Sequence, residues 1–113
     1  MDNGLEWRER LLASIDSDDF SVASDSLLSL SYHEPDREWL EDLLVGLAKA
    51  SQDPQIRALA VVCIGHVARI HQSITYSKVV PALEELRSIP ELESRVANAL
   101  EDIEIFTGYQ SRG

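Results

Sequence analysis

DPQIRALAVVCIGHVARIH, residues 53–71, is the stretch whose reading decides the fold. Asp53 is a residue type that accepts from the free amides of a first helical turn. Pro54, at the first helical position, gives up no hydrogen bond and already has a helical φ. Beyond them the polar side chains are Gln55, Arg57, His66, Arg69 and His71. At about 100° per residue Gln55, His66 and Arg69 fall on one narrow strip. A helix buried everywhere but along one strip is central to its domain, and the remaining segments are expected to cover it.

Apolar residues at helical spacing recur on both sides. Asn3 with Glu6 reads as a capping box opening a first helix over about Gly4 to Ser14, with Leu5, Leu11, Leu12 and Ile15 as its stripe. Asp16 to Asp19 cap a second helix that runs to about Ser31. Tyr32 to Pro35 breaks the pattern, because the residue before a proline leaves the α region. Asp36 caps a third helix with a stripe of Trp39, Leu40, Leu43, Leu44 and Leu47. The link from Ala50 to Asp53 is short enough to make the third and fourth helices antiparallel neighbours. Val79, Val80, Leu83 and Leu86 mark a fifth helix ending near Ser88, with Pro81 tolerable near its first turn. Pro90 opens a sixth, whose stripe is Leu92, Val96, Ala99, Leu100, Ile103 and Phe106. Residues 107–113 read as a frayed tail. No segment alternates like a strand, so the 113 residues form one all-α domain.

A period runs through these stripes. Val22, Leu27 and Leu30 match Ile56, Val61 and Ile64 at an offset of 34, and Ala60, Ile64 and Val67 match Val96, Leu100 and Ile103 at 36. Leu43, Leu44 and Leu47 fall on Val79, Val80 and Leu83, also at 36. At these residues the chain resembles HEAT-like repeats. Asp53-Pro54, Arg57, Ala60, Ile64-Gly65 and Val67 look like the first helix of a unit. Val79 to Leu83 with Leu86 looks like the second. The pattern departs at the flanks, where Glu101 stands at the position matching Gly65 and Glu93 at that matching Arg57. The resemblance implies a short right-handed α-solenoid of about six antiparallel helices, with residues 1–17 as an N-terminal capping helix. It also implies a concave side lined by the third and fifth helices.

Composition narrows the function. Twenty acids against ten bases leave a net charge of −10, of which Met1 to Ala50 carries −8. Such a surface repels nucleic-acid backbones and favours a basic protein partner. One cysteine, Cys63, excludes an internal disulfide. The longest uncharged apolar run, Ala58 to Gly65, is too short for a membrane span, and no export signal is evident. A monomer in a reducing cytoplasm is expected.

No cluster spells catalysis. Cys63 and His66 offer two potential zinc ligands where four are needed. His33-Glu34 is one His-Glu pair where an iron-binding HEAT hydroxylase uses several. Asp16, Asp18 and Asp19 lack the glycine and glutamate of a calcium loop, since Ser21 and Leu27 stand there. Glu84-Glu85 and Glu101-Asp102 are adjacent pairs that diverge on a helix. Neither metal nor cofactor is expected. The expected function is non-catalytic protein binding. Its solvent-side candidates are Arg37, Glu38, Glu41, Asp42 and Lys49 on the third helix and Lys78, Glu84, Glu85 and Arg87 on the fifth. Among these Glu38, Glu41, Asp42, Glu84 and Glu85 are the expected partner-binding residues. Size, charge and fold resemble bacterial immunity proteins, which cover a toxin, often a basic nuclease. An accessory or scaffold subunit and a small lyase-like enzyme are the alternatives.

Overall fold

The structure is a computed structural model that describes residues 3–109, with side chains from Glu6 onward. Among the described residues there are six α-helices and no strand: α1 (Asn3–Ile15), α2 (Phe20–His33), α3 (Arg37–Ala50), α4 (Pro54–His71), α5 (Tyr76–Leu86) and α6 (Glu93–Thr107). The expected cap at Asn3 and the contact of Leu5 lie outside the described side chains. Three of the aspartates act as read from the sequence. Asp19 accepts from the Ser21 amide at 2.9 Å, Asp36 from Trp39 at 3.1 Å and Asp53 from Gln55 at 2.9 Å. Each satisfies an amide that the first helical turn leaves free.

α4 is the hub. Ile56, Ala60, Val61, Cys63, Ile64, Gly65, Val67 and Ala68 are all buried, and the helix packs extensively on α2, α3 and α6. Small residues let α6 come close. A Cβ on Gly65 would stand 3.6 Å from the Ala99 Cα and 2.7 Å from Asp102 Oδ2. The exposed strip is broader than Gln55, His66 and Arg69 alone, because Ala58, Leu59 and Val62 keep partial access to solvent and Ile70 is 42% exposed.

Contacts pair the helix ends in order. Phe20 shares a hollow with Pro54, Gln55 and Leu92, while Tyr32 shares another with His66, Arg69 and Phe106. The expected partnership of α4 with α5 is replaced by α1 on α2, α3 on α4, and α5 on α6 and α3. Two features bind α3 to α4: the link of residues 51–53 is short, and Arg57 Nε donates to the Ala48 carbonyl at 3.0 Å. α5 is tied to α3 by Lys78 to Asp42 at 2.9 Å and Lys49 to Glu85 at 3.2 Å.

Three boundaries differ from the reading of the sequence. α5 begins at Tyr76, which puts Pro81 in its second turn; the proline is exposed and its lost amide bond faces water. Residues 90–92 form a turn closed by Leu92 N to the Ile89 carbonyl at 2.9 Å, so α6 starts at Glu93 while Leu92, 3% exposed, plugs the core. The expected fraying does not hold at 107–109. Thr107 Oγ1 accepts from the Tyr76 hydroxyl at 2.8 Å, and the Tyr109 ring lies 4.6 Å from that of Tyr76. Residues 110–113 of the expected tail lie outside the described residues.

The packing of α4 predicts different costs at two of its small residues. Ala60 is fully buried, so Ala60→Leu overpacks the core and costs about 1 to 3 kcal/mol. At Gly65 only a carboxylate terminus must turn aside, and the helical gain of alanine over glycine offsets it, so Gly65→Ala stays within about 1 kcal/mol of the parent. Thermal unfolding of both variants checks the contrast.

Candidate protein-binding surfaces

The five partner-binding candidates do not form one free acidic face. Glu38, Asp42, Glu84 and Glu85 are exposed, but three of them are neutralised by neighbours. Asp42 pairs with Lys78, Glu85 with Lys49, and Glu84 with Arg87 at 3.3 Å. α3, α5 and the adjoining Arg87 hold four cations against five carboxylates, so the side expected to be acidic is nearly neutral.

Glu41 corrects the sequence reading most sharply. It is 1% exposed, not on the solvent side. Oε2 accepts from Arg37 Nη1 at 2.8 Å and from the Thr75 amide at 2.9 Å, while Oε1 faces Lys78 Nζ at 3.2 Å without a well-directed hydrogen bond. The carboxylate thus sits at the N-terminus of α5, where a negative charge complements the helix dipole. Partial burial pulls the Lys78 pKa down, but hydrogen bonds and attraction from Asp42 and Glu41 outweigh it and leave the ammonium above its ordinary value. A signal for this was present. Glu41, Leu44 and Ala48 are spaced i, i+3, i+7, so they share a strip. The buried arc of α3 runs through Leu40, Glu41, Leu44 and Ala48, whereas Trp39, Leu43 and Leu47 are only partly buried.

A second buried carboxylate, Glu34, joins α1 to the α2–α3 turn. Arg8 grips it with Nε at 3.0 Å and Nη2 at 2.7 Å, its amide partner is Asp36 at 2.9 Å, and the guanidinium lies 3.9 Å from the Trp39 ring centroid. The hydrogen bond from Arg8 holds the Glu34 carboxyl below its ordinary value of 4.5, against the opposing effect of burial. Glu34 of the His33-Glu34 pair is therefore committed to a structural ion pair.

Burial shifts the two groups that stood at zinc-ligand spacing, Cys63 and His66. Burial pushes the Cys63 thiol up to about 11, only partly offset by a hydrogen bond with Ser31, so it stays protonated at neutral pH. Burial, reinforced by Arg69, holds the His66 imidazole below its ordinary pKa despite Asp102. Among the described residues no three His, Cys, Asp or Glu side chains gather as a metal site, and no helix is long and apolar enough to cross a membrane.

A different surface keeps its charge. α6 packs on α4 and α5, and its outer edge presents Glu93, Glu101 and Glu104, which are exposed and make no ion pair among the described residues. Ile105, 62% exposed, follows Glu104 directly and stands one turn after Glu101. No family model, curated protein or solved structure matches this chain.

Two predictions follow from the buried carboxylates. Glu41→Ala strands Arg37 and Lys78, and loss of one member of a buried pair costs about 3 to 5 kcal/mol. Those cations are 26% and 29% exposed, which places the loss near the lower figure. Glu38→Lys stays within about 0.5 kcal/mol; denaturant midpoints separate the two. For Glu34 the depressed folded pKa means stability that is present above 4.5 and lost as pH falls through the lower folded value. Glu34→Gln is therefore less stable at neutral pH, and its unfolding midpoint declines less than the parent's between about pH 5 and about pH 3.

Proposed function

We propose that this chain is a non-catalytic protein-binding module of HEAT-like build whose acidic α6 edge captures a basic protein. The ordered pairing of the ends of α2, α4 and α6 supports a stack in which these helices run alike, with α1, α3 and α5 as their antiparallel partners. In that reading the units begin one helix earlier than the sequence period indicated. α1 is then the first helix of a unit and not a separate cap.

The observation that carries the functional reading is Ile105, 62% exposed beside Glu104 and one turn after Glu101, two carboxylates without an ion pair among the described residues. Terminal helices of a stack need a polar outer face for solubility, which explains the acids but not the isoleucine. An exposed apolar side chain flanked by carboxylates suits a partner with an apolar contact bordered by lysine and arginine. The most concrete form is an immunity protein that covers a basic toxin. Exposed Phe20, Tyr32 and Ile70 on a different face support the second reading, an accessory subunit that joins two proteins.

Attraction between exposed charges acts over a screening length of about 8 Å at physiological salt and mainly speeds encounter. The captured protein, identified from the native cell and repurified, should associate more slowly as salt rises. Glu101→Lys with Glu104→Lys should abolish rapid capture, Ile105→Asp should speed dissociation, and Glu38→Lys with Asp42→Lys should change association little. Equal loss from both charge pairs would make the effect one of net charge and end the assignment to α6.

A further inference from the structure

The outer strip of α4, flanked by α2 and α6, carries two hollows of matching chemistry. One, of about 470 Å³, has Phe20 from α2, Leu59 and Val62 from α4, and Arg95 at its rim from α6. The other, of about 370 Å³, has Tyr32 from α2, Ile70 from α4, Phe106 from α6, and Arg69 at its rim. Each therefore offers an aromatic wall, an apolar floor and one arginine, and Glu91 also lines the first. Both arginines are exposed, and neither makes an ion pair among the described residues. Arg95 donates only to the Glu91 carbonyl, at 3.4 Å, and Arg69 lies 5.5 Å from the Phe106 ring centroid. In a chain with twice as many acids as bases, two exposed guanidiniums on one apolar face with no ion pair among the described residues are unexpected.

The spacing narrows the occupant. Ala58 and Arg69 along α4, and Arg95 and Phe106 along α6, each separate the hollows by 11 residues. That is about 16 Å at the rise of a helix. Eleven residues also make three helical turns, so on a second helix laid along the strip two side chains at that spacing share one stripe. Apolar side chains fill the floors, and a carboxylate beside each meets the planar donor fork of an arginine. We propose that this face docks an amphipathic helix of another protein, with apolar anchors at i and i+11 and an acidic residue next to each. The site is separate from the α6 edge, and its chemistry is opposite. It stands whether or not that edge binds a basic protein.

The test uses the full chain and synthetic helical peptides, followed by backbone amide shifts. One peptide has leucine anchors at i and i+11 flanked by glutamate; a second has lysine in place of the glutamates; a third keeps the glutamates but sets the anchors at i and i+7. The glutamate peptide should saturate, shifting amides around both Phe20 and Tyr32. The lysine peptide should bind at least about tenfold more weakly although the net charge of the protein favours it, a difference of about 1.4 kcal/mol. The third peptide should reach one hollow only. Arg69→Glu with Arg95→Glu changes exposed side chains and should reverse the preference, while Glu101→Lys with Glu104→Lys should leave the order of the peptides unchanged. A lysine peptide that binds as well as the glutamate peptide, shifts outside the two hollows, or no saturation by any peptide overturns the proposal. So do concentration-dependent shifts at these residues without peptide, which would make the occupant a second copy of the chain.

Discussion

The close passage of α6 over α4 at Gly65 is the constraint on which the rest of the molecule depends. Helices with ordinary side chains at their crossing stand about 8–10 Å apart. Small residues at Gly65 and Ala99 let the backbones approach, and Val61, Ile64, Val67 and Ile103 are buried in the core. With α6 held on one side and α3 on another, α4 keeps only its outer strip open. That one geometric fact decides where the core lies and which surface can meet a partner.

Charge is managed in three different ways on the same small domain. Buried carboxylates at Glu34 and Glu41 join segments distant in sequence, each with an arginine and a backbone amide as partners. Carboxylates on α3 and α5 are balanced by lysine and arginine across the helix pair. The acids of α6 are left unbalanced. Solubility alone would distribute the excess without regard to apolar neighbours, so the juxtaposition of Glu101 and Glu104 with Ile105 supports recognition there.

The two uncovered surfaces differ in kind. The α6 edge has an excess of negative charge, suited to long-range attraction. The α4 strip is recessed, aromatic and bordered by arginine, suited to short-range contact in which tyrosine and arginine contribute strongly. A module with both can hold two partners at once, and this would link the binding reading with the accessory-subunit reading without invoking chemistry at Cys63 or His66.

The sequence alone determined the helices, their caps and the centrality of residues 53–71, because these depend on local hydrogen bonding and on the 3.6-residue period. What only the tertiary structure decided was the partner of each face. Periodicity reports that a stripe is buried but not against what, so the short link marked α3 as a neighbour of α4, whereas the close packing of α6, and not α5, on α4 was invisible. A charged residue inside a polar arc looks exposed until the packing rotates the helix, as it does to bring Glu41 inward beside Leu44 and Ala48. Likewise, counting charges cannot show which are cancelled. Asp42 of α3 and Glu85 of α5 lost their freedom to Lys78 and Lys49, each 36 residues away in sequence, because folding brings together side chains that the sequence keeps apart.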